Sequence, residues 1–242
     1  MEGIKEAFSG FTKPSIAIDT VLLRTAHIVN GGTQSNLKQL QVLLVKKPDE
    51  DKWHLPGTIL RLGESSVDAI NRIVDNKEFM NKITFEQLYT VDDNPLRDDR
   101  GHIISIVYIG MLNADTNTNI ESLRNGYEAE WFWVGKEERG EKAPSRVFTN
   151  QSSGIGESEL MYDHSKIIND TLNRLKGKLM YAEVGFNFIG KEFTISELEN
   201  TFDAINEREI PGFRRYIAPK IKGTGKMLAG KAHRPAEVYT RV

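Results

Sequence analysis

The chain has no cysteine among its 242 residues, so disulfides and thiolate metal sites are excluded. It also lacks any apolar run approaching the ~20 residues that cross a bilayer. The first fifteen residues have no apolar core of the signal-peptide kind, so the expectation is a cytoplasmic protein without membrane contact. Net charge is scarce too, at −2. What is present is ordinary for a soluble globular protein: 39% hydrophobic and 27% charged residues. The length suits two domains, or one with a large extension.

The small net charge conceals an uneven distribution. From Arg214 to Val242 there are eight basic residues (Arg214, Arg215, Lys220, Lys222, Lys226, Lys231, Arg234, Arg241) against the single acid Glu237. The last 29 residues therefore carry about +7 and the rest of the chain about −9. Such asymmetry points to a polyanion partner for the basic part. A solvated basic tail explains the charge count equally well, so pattern has to decide.

Pattern divides the chain near residue 155. Before it, alternating runs rich in Ile, Val and Leu predict strands over 15–24, 40–47, 85–91 and 102–112, with a short aromatic strand over 130–134. Residues 30–36 and 92–101 read as loops, and 135–146 as a charged surface loop. Helical spacing of Val67, Ala69, Ile70, Ile73 and Val74 predicts a helix over 65–76, capped by Ser65 or Ser66. This is an α/β (α+β) domain with a mixed sheet.

After it, residues 157–179 place Leu160, His164, Ile167, Ile168, Thr171, Leu172 and Leu175 on one face of a long linking helix. His164 beside Asp163 reads as a structural histidine, not a catalytic one. Thr194 and Glu197 form a capping box that opens a helix with the stripe Leu198, Phe202 and Ile205. A second helix is expected over 210–223, with Phe213, Tyr216 and Ile217 inward and Arg214 and Arg215 outward. Pro219 falls inside that span, where an interior proline costs ~3 kcal/mol, so an early stop is expected. A basic hairpin over 226–242, carrying Val238 and Tyr239, completes the plan of a winged helix-turn-helix.

Residues 53–77 carry the chemistry that this first domain has lost. Trp53, Leu55, Pro56 and Gly57 lead into Gly63-Glu64-Ser65, and Arg72 follows as in a Nudix box. The next positions read Ile73, Val74, Asp75, Asn76 and Lys77 where that box has glutamates at three of the five. Nudix hydrolysis needs Mg²⁺ or Mn²⁺ held by clustered carboxylates. Residues 73, 76 and 77 share one helix face, so carboxylates there would converge on one metal. An aliphatic, an amide and a cation cannot hold it, so neither a catalytic residue nor a metal ligand is assigned.

In these features the chain resembles the Nudix-related transcriptional regulators of the NrtR type. The likeness spans nearly the whole chain: the strand before Arg24, the Trp53 and Leu55-Pro56-Gly57 entry, residues 88–109, Tyr162-Asp163-His164, Phe193-Thr194, Phe213-Arg214-Arg215, Arg234-Pro235-Ala236 and Tyr239. Each is weak alone; their order and spacing are specific. Thr58 departs by replacing the second glycine of the box.

The resemblance implies a homodimeric regulator with a weakened Nudix domain that senses a small effector and a winged helix that binds double-stranded operator DNA. It places Arg214 and Arg215 in the recognition helix and Arg234 in the wing, with Lys220, Lys222, Lys226 and Lys231 as further DNA contacts. The effector it implies is ADP-ribose, another NAD-derived nucleotide or a pentose sugar, with no cofactor. Arg24, Trp53, Arg61, Glu64 and Arg72 are its candidate contacts, although Arg72 also suits a structural pair with a carboxylate in the box helix, Glu64 a loop or helix-cap acid, and Trp53 the core or loop packing. Arg97, Asp98, Asp99 and Arg100 are either part of the pocket or a solvated loop. Domain limits are expected at 1–150 (sensing), 151–178 (link) and 179–242 (DNA-binding). The competing readings are a divergent Nudix hydrolase acting on ADP-ribose or a related nucleoside diphosphate derivative, and a module whose basic tail binds acidic protein or RNA.

Overall fold

The computed structural model describes residues 12–30, 33–74, 80–113, 127–136, 146–149, 154–228 and 235–242. Packing groups them into two compact units. The first contains the described residues up to Leu22, those of 42–110 and those of 118–171; the second contains 23–41, the described residues of 111–117, and those of 172–242.

The larger sheet contains β1 (Ser15–Asn30), β2 (Thr33–Lys46), β3 (Gly57–Ile59), β4 (Ile83–Val91), β5 (Ile103–Leu112), β6 (Glu128–Lys136), β7 (Arg146–Thr149) and β8 (Gly154–Gly156). Its order is β4-β5-β1-β2-β6-β7-β8, with β3 also paired to β1 in an antiparallel ladder. β1 is central, and Ala17 to Leu23 are buried without a break. Unbroken burial means that both faces are covered there, unlike the alternation of a half-solvated strand. β1 and β2 run through much of the expected 30–36 loop, since Asn30 and 33–36 belong to the strands.

α1 (Ser66–Val74) covers one face, packing Ala69, Ile70 and Ile73 on Ile18 of β1. Its start is a reciprocal cap: Ser65 Oγ accepts from the Asp68 amide at 3.2 Å, and Asp68 Oδ2 accepts from the Ser65 amide at 3.2 Å. Ile73, in a slot where a Nudix box has a glutamate, is thus a core residue worth roughly 1.5–3 kcal/mol of burial. Positions 75–77 of the box lie outside the described residues.

The helix expected as the link, α2, spans His164–Lys178, shorter than the expected 157–179. Residues Glu157–Glu159 form a 3-10 turn, and Leu160 bridges to Trp53. The interruption is Tyr162, whose φ of 51° is left-handed and cannot continue a right-handed helix.

In the second unit, a 3-10 segment (Val184–Phe188) leads to β9 (Glu192–Phe193), α3 (Ile195–Asn206) and α4 (Phe213–Ile217). A 3-10 turn (Ala218–Lys220), β10 (Ile221–Leu228) and β11 (Ala236–Arg241) follow. The sheet order β10-β11-β9 is that of a winged helix. The Thr194/Glu197 capping box forms, with Glu197 Oε2 accepting from the Thr194 amide at 2.8 Å. Phe186, Phe193, Phe202 and Phe213 make an aromatic core with ring centroids 5.0–5.9 Å apart. A Cβ at Gly185 would come within 2.3 Å of the Phe202 ring, so glycine is needed there. The expected helix over 210–223 is cut to five residues plus the Pro219 turn, because proline supplies no amide hydrogen and its ring excludes the preceding helical turn.

Candidate effector cleft and nucleic-acid interface

A cleft of about 420 Å³ opens in the first unit between the box loop, the 97–100 loop and the start of α2. Its floor is Asp19 of β1, buried and bonded by the Ser105 hydroxyl. Burial raises the Asp19 carboxyl above its usual range. Gly57 packs against it so closely that an added Cβ would lie 2.2 Å from Asp19 Oδ1. The glycine before the box loop is therefore a requirement of close approach.

The box loop is fixed by one ion pair. Arg72 of α1 donates from Nε to Glu64 Oε1 and from Nη2 to Glu64 Oε2, both at 2.7 Å. Its remaining hydrogens reach Thr58 Oγ1 at 2.6 Å and the Ile59 carbonyl at 3.0 Å. The Arg61 amide also donates to Glu64 Oε2 at 2.8 Å. The Arg72 guanidinium, with that amide, holds the Glu64 carboxyl at about 2.

The opposite wall repeats the device. Arg97 grips Asp163, with Nε donating to Oδ2 at 2.9 Å. Burial pushes Asp163 up, but Arg97 outweighs it and leaves the carboxyl below its ordinary value. Arg100 forks onto Asp98 at 2.7 and 2.9 Å, with its guanidinium 5.1 Å from the Tyr162 ring. Lys47 bonds Glu50. His164, the first residue of α2, accepts the Leu55 amide at Nδ1 over 2.9 Å. Burial, with His54 nearby, drives its pKa down to about 3, so it is a neutral acceptor at neutral pH. His54 donates from Nδ1 to the Leu55 carbonyl at 2.9 Å and faces Tyr127 edge-on at 6.0 Å.

The five candidate effector residues are dispersed. Arg61 and Arg72 line the cleft, and Glu64 stands behind Arg72 as its anchor. Trp53 is buried, edge-on to Phe132 at 4.8 Å with the Lys46 amine over its ring, so it packs in the core instead of lining the cleft. Arg24 belongs to the second unit, where Nε donates to Gln41 Oε1 at 2.7 Å and burial lowers its pKa to about 10. The sequence reading left out Asp19, Lys47, Glu50, His54, Tyr127, Tyr162 and His164, which line the same cleft, while Arg97, Asp98 and Arg100 join it from the loop it had left open. The mixed charges of residues 97–100 (Arg, Asp, Asp, Arg) and the Asp163-His164 pair were the available signals. Nothing in the sequence marks Asp19, and Tyr162 stood out only within the Tyr162-Asp163-His164 stretch of the resemblance. Among the described residues no three His, Asp or Glu side chains converge as a metal site.

The basic face of the second unit is organised differently. Phe213 and Ile217 of α4 are buried, which turns Arg214 and Arg215 outward. Arg214 stands 3.6 Å from Glu199 and is largely exposed. Lys222 is exposed on β10. Lys220 pairs with Glu183, and Lys226 with Glu192. Lys231 and Arg234 lie outside the described residues.

Residues 185–240 match the NrtR DNA-binding winged helix domain. The chain is 24% identical to the ADPR-responsive transcriptional repressor NtrR of Acinetobacter baylyi, over 83% of this chain and 75% of that one. Its fold is similar to that of a MutT/nudix family protein from Enterococcus faecalis (TM-score 0.68, 22% identity, 96% of this chain and 89% of that one). It is also similar to Shewanella oneidensis NrtR in complex with a 27mer DNA (TM-score 0.64, 22% identity, 94% of this chain and 93% of that one).

Proposed function

We infer that this NrtR-like chain is a ligand-responsive transcriptional repressor, with a Nudix-like domain that senses a metabolite and a winged helix that binds operator DNA. The observation that carries this reading is the winged helix at 185–240, with Arg214 and Arg215 held outward on α4. In such folds the helix enters the major groove and basic residues meet phosphates. The A. baylyi relative, described as ADPR-responsive, makes ADP-ribose the first effector to test. Residues 1–150 form the sensing part, 151–178 the link and 179–242 the DNA-binding part in this reading. The protein acts in the cytoplasm as a homodimer, so its operator is an inverted repeat with half-sites about one DNA turn apart or a multiple.

In the cleft, Tyr127 and Tyr162 offer ring edges and faces to a base or sugar, and Arg61 offers a cation to phosphate. A second effector class, a pentose, is favoured by one observation: Lys47, Arg72, Arg97 and Arg100 are each already bonded to a carboxylate. Paired forks of this kind suit neutral hydroxyls better than a diphosphate, which needs uncompensated positive charge.

Selection of duplexes from a random-sequence library by the full chain tests the regulator reading. Enrichment of one inverted repeat, abolished by the double substitution R214A/R215A, is the expected result. Recovery of an unenriched pool would contradict it.

A further inference from the structure

Glu183 immediately precedes the 3-10 segment Val184–Phe188 and has a φ of 54°, a left-handed backbone uncommon for a residue with a long side chain. Its carboxylate takes two cations at once: Oε1 accepts from Lys220 Nζ, and Oε2 accepts from Arg241 Nη2 at 3.0 Å. The two cations are neighbours through the sheet, since Ile221 pairs with Arg241 and the Val242 amide donates to the Lys220 carbonyl at 3.0 Å. Each is also seated on a ring: the Lys220 amine 4.8 Å from the Tyr216 centroid, the Arg241 guanidinium 4.8 Å from that of Phe186. Tyr216 is in turn bonded through its hydroxyl to the Met180 carbonyl.

The clasp takes its cations from the end of the recognition element and from the last strand. By sequence, Lys220 belongs with the DNA-contacting set; in the structure its charge is compensated before any DNA arrives. We propose that Glu183 tempers the sequence-independent attraction of the winged helix for DNA: it withholds Lys220 and Arg241 from duplex phosphates, so that binding relies on Arg214, Arg215 and Lys222. The proposal rests on the DNA-binding reading of this domain. The physical reason is counterion release. Each phosphate neutralised steepens the dependence of log K on log salt by about 0.9, and this sequence-independent contribution dominates non-specific binding. Removing two cations from that contribution lowers affinity for all DNA and flattens its salt dependence, while base contacts are untouched.

The test uses the full chain as wild type, Glu183→Gln and Lys220→Met. Each is titrated by fluorescence anisotropy against a random-sequence 30-base-pair duplex and against the inverted repeat selected by the wild type, at several salt concentrations. With Glu183→Gln, binding to the random duplex strengthens and its salt slope steepens by up to about 1.8. Between 50 and 200 mM salt this adds roughly a further tenfold fall in affinity, on the selected repeat as on the random duplex. Lys220→Met binds the random duplex as the wild type does. A Glu183→Gln slope equal to or shallower than wild type would overturn the proposal, as would a Lys220→Met protein with weaker binding and a shallower slope, since Lys220 would then already contact phosphate. A purely structural clasp weakens binding to both duplexes in Glu183→Gln and leaves the slope unchanged. Should the wild type select no repeat at all, the DNA-binding reading itself fails, an outcome separate from either of these.

Discussion

The cleft and the winged helix both concentrate basic side chains and treat them in opposite ways. In the cleft, Lys47, Arg72, Arg97 and Arg100 are each bonded to a carboxylate, whereas among the described residues the Arg61 side chain forms no ion pair. On the winged helix, Arg215 and Lys222 are exposed and without an acid among the described residues, and Arg214 has only a distant one. The contrast separates two kinds of recognition. Fixed ion pairs offer shape and direction to a small ligand, because a guanidinium locked by a carboxylate keeps its remaining donors in place. Uncompensated charge on an exposed surface offers attraction to a polyanion at any register, with base contacts left to select the site.

The largest expected effect comes from the exposed side of that comparison. Replacing Arg214 and Arg215 together with Ala should lower affinity for the selected operator by about thirtyfold or more, taking about 1–3 kcal/mol for each good base contact. The melting temperature should hold, because both side chains project from the surface. Loss of folding in this variant would mean that the arginines support α4, and the contrast with the cleft would collapse.

A middle-sized effect is expected at the cleft floor. Gly57→Ala drives a methyl group into Asp19 Oδ1, at 2.2 Å in the present geometry. Overpacking of this sort costs about 1–3 kcal/mol, readable as a lower urea midpoint. Effector binding should weaken as well, while DNA affinity without effector stays near that of the wild type. A Gly57→Ala protein as stable as the wild type would show that the floor yields.

The smallest effects belong to pH. His164 has a folded pKa of about 3, below its usual 6.5, so the unfolded chain binds the proton that the folded chain refuses. Its contribution to stability is complete above pH 6.5 and is lost as pH falls towards 3. Glu64, at about 2 against a usual 4.5, contributes fully above pH 4.5 and loses that contribution on the way down to about 2. Thermal melts should therefore show His164→Gln flattening the pH 6–4 limb and Glu64→Gln flattening only the limb below 4.5. Parallel profiles for both variants and the wild type would remove the cleft pairs from the stability account.

Much of the winged helix was legible in the sequence because its signals are local. The Thr194/Glu197 cap lies three residues apart, the Leu198, Phe202 and Ile205 stripe is one helix face, and Pro219 announces its own break. α1 was legible for the same reason. The start of α2 was not, since the left-handed Tyr162 is imposed by its surroundings and has no glycine to mark it. The cleft was the least legible part. Trp53 looked available for stacking until the distant strand β6 supplied Phe132, and Arg24 falls in the second unit, bonded to Gln41. Arg97 and Arg100 became cleft walls only once Asp163 and Tyr162 closed on them from more than sixty residues along the chain.

The most direct test of the account is an anisotropy titration of the full chain on its selected inverted repeat, with excess competitor DNA, in the presence and absence of ADP-ribose and of L-arabinose. The account predicts tight, sequence-dependent binding that one of the two compounds shifts and the other does not. Binding that neither compound shifts, together with metal-dependent release of phosphorylated product from ADP-ribose, would contradict the sensor reading and make the first unit an enzyme.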